Sequence, residues 1–299
     1  MDEGAYHYHM EAPVDHPPQR VVSLVPSVTE SLFDLHLGGR LTAITDYCVH
    51  PADGVARLPR IGGTKNPDIR KIIALGPDLV IANQEENRKA DVEALETAGI
   101  PVWVTYPRTV RESFNLLWNI MHVFDEPTMV ERVRAIEWTC DWLERMIESR
   151  PTPPRVFVPI WLDPLMTFNA DTYAHDLIRV CGGQPIFGGL EGRYPRIRLE
   201  DVISAQPEVI LLPSEPYAFS EAHVPQFAAL DVPAAHTGRI HLVDGSLITW
   251  HGTRIARAFE ALPRLFAGEG GLADGAKGRQ TGAAAPESAQ GKNGGRTDQ

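Results

Sequence analysis

A segment of this chain occurs twice. Ile69-Arg-Lys-Ile-Ile-Ala-Leu-Gly-Pro-Asp-Leu-Val-Ile-Ala82 returns, altered, as Leu199-Glu-Asp-Val-Ile-Ser-Ala-Gln-Pro-Glu-Val-Ile-Leu-Leu212. Each copy reads as a short amphipathic helix, a Pro with an acidic residue, and an apolar run, which is a helix feeding a buried strand. The copies lie 130 residues apart, too far for the unit of a solenoid. A second pair precedes them. Residues 31–39 resemble residues 175–183, each a helix closed by a Gly-Gly pair. The spacing predicts two similar α/β lobes with a cleft between them, and ligand pockets favour such interfaces.

The 299 residues suit two domains of ordinary size. Between the two copies the sequence supplies the rest of each lobe. Strands are expected at 20–25, 41–45, 79–82 and 101–105, with helices between them, which argues a parallel sheet covered on both faces. Ser27 with Glu30, and Thr109 with Glu112, have the spacing of capping boxes. The second of these opens a helix to about Phe124, with Phe114, Leu117, Met121 and Phe124 on one stripe. Pro127 suits the first turn of a further helix that continues to Pro151. Its roughly 22 residues would reach roughly 33 Å, enough to join both lobes as a spine. The second lobe is expected to open with a strand at 156–160, followed by a helix at 172–180, a late strand at 239–243 and a last helix at 253–266. The resulting division is a flexible arm (1–18), an N-terminal lobe (19–125), a linking helix (126–150), a C-terminal lobe (151–266) and a disordered tail (267–299).

Charge narrows the function. The formal net charge is -11, and residues 267–299 carry four acids and four bases, so the excess lies before the tail. An acidic surface repels phosphate backbones and argues against nucleic acid. No apolar stretch approaches a membrane span, and the first residues lack the basic start and apolar core of a signal peptide. Cys48, Cys140 and Cys181 are widely spaced, without a CxxC, and read as small buried hydrophobes. There is no GxSxG, HExxH, Walker A loop or GxGxxG after a strand, so no catalytic residue is assigned.

In order and spacing, residues 20–30, residues 77–81, the linking helix after Pro127, Cys181-Gly-Gly183 and the stretch from Asp244 to Arg254 resemble the class III (cluster A-II) substrate-binding proteins of ABC importers. The resemblance covers about residues 19–266 and is strongest to the cobalamin-receptor branch of these helical-backbone metal receptors. It implies two α/β lobes with parallel sheets, joined by one long backbone helix, with a largely preformed cleft. It also implies a non-enzymatic receptor outside the cytoplasm, in the periplasm or on the cell surface. That receptor would act as a monomer, hold no intrinsic cofactor and hand its ligand to an ABC permease. Cobalamin or a related corrinoid is the first ligand implied, haem the second and a ferric siderophore the third. The missing leader conflicts with export, so a start upstream of Met1 and a cytoplasmic sensor or store both stay open. A metal-dependent enzyme using the same cleft is the rival from another class.

The resemblance also nominates pocket positions. Pro26, Ser27 and Val28 form the first strand-end loop, where backbone N–H groups at a helix start meet an acceptor. Tyr47 matches an aromatic pocket position, a ring to stack on a macrocycle. Thr64 and Lys65 fall where the cobalamin branch has an aromatic residue. Asn83, Gln84 and Glu85 follow the third strand. Trp161 follows the first strand of the second lobe, and Trp250, His251 and Arg254 precede the last helix. Each has an ordinary structural alternative, from helix cap to buried polar group. His251 is a candidate ligand for iron or cobalt, but neither it nor His50 and His175 shows the pairing of a free-metal site, and His7 and His9 lie in the arm. For permease docking, Glu200 fits the acidic position on the second lobe, whereas Arg70 stands at the equivalent place in the first.

Overall fold

The computed structural model describes residues 12–148 and 152–268. Residues 1–11, including His7 and His9, and residues 269–299 lie outside them, so the arm and tail expectations are addressed only at their edges.

Each lobe is built on a four-stranded parallel sheet. In the first, the strands Leu41–Ile44, Val21–Ser23, Leu79–Asn83 and Val102–Thr105 lie side by side in that order. In the second the order is Gln184–Pro185, Arg155–Phe157, Val209–Pro213 and Ile240–Val243. If the strands of each lobe are numbered by sequence, both sheets read 2-1-3-4. The repeat seen in sequence therefore occupies one topological place: helix Ile69–Leu75 feeds the third strand of the first lobe, and helix Leu199–Ala205 feeds the third strand of the second.

Alternation within the strands divides the interior. In the first lobe Val22, Val80, Ala82, Val102 and Val104 face an outer cluster with Ile72, Val92 and Leu95. Their neighbours Val21, Leu79, Ile81 and Trp103 face the other way. There they join one continuous core with Val156, Val209 and Leu211 of the second lobe. Val133, Ile136, Cys140 and Leu143 of the linking helix and Ile255, Phe259 and Leu262 of the last helix belong to the same core. The lobes thus share their apolar interior. A wide hinge opening would expose this core to water, which the hydrophobic effect opposes.

Three local expectations are corrected. The opening helix is Pro26–Asp34, with Val25 at the N-cap and no side-chain cap. Pro26 takes the first helical position itself, where its missing N–H costs nothing, so Ser27 and Glu30 form no capping box. The helix does not close on Gly38 or Gly39 either. His36 takes the left-handed backbone, with φ 61°, and the glycines lie in a short 3-10 turn, Gly38 against the Phe33 ring. The linking helix starts at Val130 rather than Pro127 and runs to Glu148, the last described residue before 149–151, so its expected end near Pro151 lies outside the described residues. Its 19 residues span about 28 Å. The Thr109 box is present in part: Thr109 Oγ1 accepts from Glu112 N at 3.0 Å, while Glu112 accepts from Arg108 N rather than from the cap residue.

Candidate functional site

The C-terminal ends of both sheets open onto a cleft of about 860 Å³ between the lobes. This is where open parallel sheets bind ligands. The first lobe contributes Pro26 after its first strand, Asp46, Tyr47 and Val49 after its second, Asn83 at the end of its third, and Glu85 and Glu86 just beyond. Thr64 comes from the tip of the small hairpin that pairs Gly62–Gly63 with Asn66–Pro67. The second lobe supplies Trp161 and Met166 from another hairpin, Phe168 and Tyr194 from connecting segments, Tyr173 from the start of helix Tyr173–Val180, Glu215 after its third strand, and Trp250 and His251 after its fourth.

Eight of the positions nominated from sequence line this space: Pro26, Tyr47, Thr64, Asn83, Glu85, Trp161, Trp250 and His251. Tyr47 and Trp161 face one another's lobe with 62% and 43% of their surface free, unusual exposure for rings of this size. Gly63 makes room for the first of them, because a Cβ there would stand 3.3 Å from Tyr47 Cε2. Trp161 is steadied by its Nε1, which donates to Asp163 O at 3.1 Å, and by Tyr217 at 5.5 Å between ring centroids. Trp250 is half-buried, with His50 edge-on at 5.8 Å and the Arg254 guanidinium 4.8 Å over its face.

The other nominated residues lie elsewhere. Val28 is a core residue. Ser27 is buried behind the cleft wall, its Oγ 3.4 Å from His251 Nε2. Gln84 is half-buried and not part of the lining, its backbone N–H donating to Thr105 O at 3.0 Å. Lys65 is exposed and donates from Nζ to Glu85 O at 2.6 Å, clamping the loop instead of facing a ligand. Arg254 is 2% exposed and absent from the lining; its guanidinium grips Glu30 across the lobes, Nε to Oε2 at 2.6 Å and Nη2 to Oε1 at 2.8 Å. Glu200 is exposed on the second residue of its helix, far outside the lining residues.

A second bridge closes one flank of the cleft. Arg193 donates to Glu85 Oε1 at 2.8 Å and to Asp171 Oδ2 at 2.8 Å, and lies 5.0 Å over the Tyr106 ring. The Tyr194 hydroxyl donates to the same Glu85 oxygen. Behind the cleft, Gly252 N donates to Ser113 Oγ at 2.7 Å. A side chain at Gly252, where φ is 89°, would collide with Ser31.

Sequence reading missed Glu86, Phe168, Tyr173, Tyr194 and Glu215. One of them was within reach. The offset of 130 that defines the repeat carries Glu85 onto Glu215, so each lobe sets a carboxylate at the same place beyond its third strand. Tyr194 comes from an irregular segment with no periodic signal, whereas Tyr173 opens the helix Tyr173–Val180 that was expected at 172–180.

Burial sets the protonation of two groups. His251, 6% exposed, is held at about 4 by desolvation, so its imidazole is neutral at pH 7. Its Nε2 lies 3.5 Å from Asn83 Nδ2 and its buried Nδ1 has no partner. Glu86 moves the other way, pushed up to about 8 by desolvation, then by Glu215 and Glu85, against the pull of Lys65. A stability consequence follows for His251. The unfolded imidazole takes up its proton near 6.5 and the folded one only near 4. Stability is therefore complete above pH 6.5 and falls as pH drops toward 4, by up to about 3 kcal/mol. Chemical denaturation between pH 4 and 7 should show a shallower acid decline in His251→Asn than in the parent; identical slopes would assign the decline to other groups.

Among the described residues no group of three or more His, Cys, Asp or Glu could hold a metal ion. Cys48, Cys140 and Cys181 are free and buried. No described helix is long and apolar enough to cross a membrane.

Residues 21–246 match the family model described as periplasmic binding protein. The chain belongs to that family. It is 24% identical over 252 residues to a vitamin B12-binding protein of Vibrio vulnificus, covering 84% of this chain and 91% of that one. A vitamin B12-binding protein of Vibrio campbellii is 29% identical over 196 residues, 65% of this chain and 70% of its own. Among solved structures, the periplasmic vitamin B12 binding protein of Vibrio cholerae superposes with a TM-score of 0.72 at 22% identity, covering 85% of this chain and 98% of the other. A periplasmic haem-binding protein from Roseiflexus sp. RS-1 superposes with a TM-score of 0.70 at 21% identity, covering 84% and 98%. The family and its fold are those expected from sequence. Membership of a family of binding proteins sets the rival enzymatic reading aside.

Proposed function

We propose that this protein captures a corrinoid, cobalamin first among them, in the cleft between its lobes and presents it to an ABC permease outside the cytoplasm. The observation that carries the reading is the cleft wall itself. Tyr47 from one lobe and Trp161 from the other stand exposed in a preformed space large enough for a drug-sized or larger ligand. Phe168, Tyr173 and Trp250 continue the apolar lining, and Thr64, Asn83 and Thr249 place polar atoms among them. Such walls bury the faces of a flat macrocycle while the loop ends fix its rim. Burial of about 300 Å² of apolar ligand surface at ~25 cal/mol per Å² supplies about 7 kcal/mol before association costs. The relatives named as vitamin B12-binding proteins support the same ligand.

The protein acts as a monomer in this reading, and Glu200 on the exposed end of its helix is the docking contact offered to a permease. Haem is the second reading, because the exposed Tyr47 phenol is a group that can ligate iron. Titration of the purified protein with cobalamin and then haem, followed by absorbance and tryptophan fluorescence, separates the two. Saturable one-to-one quenching by cobalamin is expected. A Soret shift lost in Tyr47→Phe, with no response to cobalamin, would move the assignment to haem.

A further inference from the structure

The charged side chains of the cleft are all of one sign. Asp46, Glu85, Glu86 and Glu215 line it, and among the described lining residues there is no Lys or Arg. The nearby cations are committed elsewhere. Arg193 is spent on Glu85 and Asp171, Lys65 donates to the Glu85 carbonyl, and Arg254 is buried against Glu30. Arg193 and Tyr194 thus satisfy Glu85, whereas its repeat counterpart Glu215 and its neighbour Glu86 form no ion pair among the described residues, and Lys65 acts on Glu86 only from a distance. Glu215 is held in place: one of its oxygens accepts from Thr249 Oγ1 at 2.8 Å, and the loop carrying it packs against Gly245, where a Cβ would lie 2.6 Å from Glu215 N. Glu86 approaches from the first lobe. The charged groups that act on it are Glu215, Glu85 and Lys65.

Glu86, pushed up to about 8, keeps its proton at pH 7, so with Glu215 it forms one pair from opposite lobes that carries negative charge with no ion-pair partner, accepts hydrogen bonds and disfavours further negative charge. An anionic ligand group would find no cation among the lining residues and would meet the like charge of Glu215, which is how a site discriminates by repulsion as well as attraction. Corrinoids differ on this point. Their rim arms are carboxamides, whose NH₂ groups donate, or carboxylates, which do not. Haem also carries two carboxylates.

We propose that Glu86 and Glu215 are specificity-determining residues that admit corrinoids with uncharged carboxamide arms and exclude macrocycles with carboxylate arms. This rests on the corrinoid reading above. Because no basic side chain lines the cleft, the phosphodiester of the cobalamin nucleotide loop finds no cation there. A corrinoid lacking that loop therefore binds as well as cobalamin does.

The test is calorimetric titration of the full chain with three probes at pH 7: cobinamide, which has amide arms and no nucleotide loop; cobyrinic acid, the same ring with carboxylate arms; and cobalamin. Cobinamide and cobalamin should agree within about threefold, and cobyrinic acid should bind at least about a hundredfold more weakly. In Glu86→Gln/Glu215→Gln the ratio of cobinamide to cobyrinic acid affinity should collapse at least tenfold, since Gln keeps the shape and removes the charge. Circular-dichroism melting checks that the variant folds. If it does not, each single Gln variant is titrated, and the parent ratio is measured again in 1 M salt, where a charge-based preference must shrink. Equal affinity of the parent for amide and carboxylate rings would overturn the proposal, as would a ratio untouched by the substitutions and by salt. Failure of all three probes is a different outcome: it removes the corrinoid reading and this inference with it.

Discussion

Glu30→Ala is expected to cost about 3–5 kcal/mol of stability, a third or more of what a domain ordinarily has. Glu30 is 3% exposed and Arg254 2%, and their two hydrogen bonds join the opening helix of one lobe to the start of the last helix in the other. Ser246 Oγ takes a further bond from Arg254 Nη1 at 2.8 Å. Removing the carboxylate leaves the buried guanidinium only the half-exposed Asp244, 3.6 Å from its Nη1, to offset its charge. The large term is that orphaned charge, not the attraction lost. The double variant Glu30→Met/Arg254→Met should therefore recover most of the loss, because both charges leave together. Urea denaturation of the parent, both single variants and the double variant reads the effect. A double variant as unstable as the sum of the singles would show that the charges are not coupled. The same series decides between two roles for Arg254. If Arg254→Met abolished corrinoid binding without lowering stability, Arg254 would be a ligand contact after all.

The second large effect concerns the ligand. Tyr47→Ala and Trp161→Ala should each weaken corrinoid binding by about tenfold to a hundredfold, and the pair together by more. Both rings are exposed in the free protein, so they contribute little to its packing, and the melting temperatures should stay within a degree or two of the parent. This separation of affinity from stability is what distinguishes a ligand wall from a core. Trp250→Ala is a poorer probe, since Trp250 packs under the Arg254 guanidinium and its loss would disturb the Glu30 pair. Unchanged affinity in Tyr47→Ala and Trp161→Ala, measured by calorimetry, would place the ligand elsewhere.

How far the sequence spoke depended on the kind of signal. The repeated helix-Pro-acid-strand segment located both third strands, because buried parallel strands are written as apolar runs, whereas the shared 2-1-3-4 order came only with the structure. The linking helix was legible from its apolar stripe, though Pro127 suggested a start three residues early. Side-chain destinations were harder. Ser27 and Glu30 have the spacing of a cap, yet Glu30 is claimed by Arg254, 224 residues away. Nothing local marks such a partner. Lys65 and Arg254 were nominated for the cleft by position along the chain, and tertiary hydrogen bonds turn both away from it. Tyr47, Asn83, Trp161 and Trp250 were found because strand ends in this fold converge on one edge. Glu86 and Tyr194 were missed because loop residues reach the cleft by paths that periodicity does not encode. The shared core was not legible either: alternation shows that a strand has two faces, but not that one face in each lobe belongs to the same interior.

The deciding measurement is anomalous diffraction from crystals of the protein grown with cobalamin, recorded at the cobalt edge. A single cobalt peak in the cleft, with the corrin faces against Tyr47 and Trp161 and amide arms toward Glu86 and Glu215, is the predicted result. A cleft without cobalt in crystals whose solution holds saturating cobalamin, or cobalt bound only on the outer surface, would contradict it.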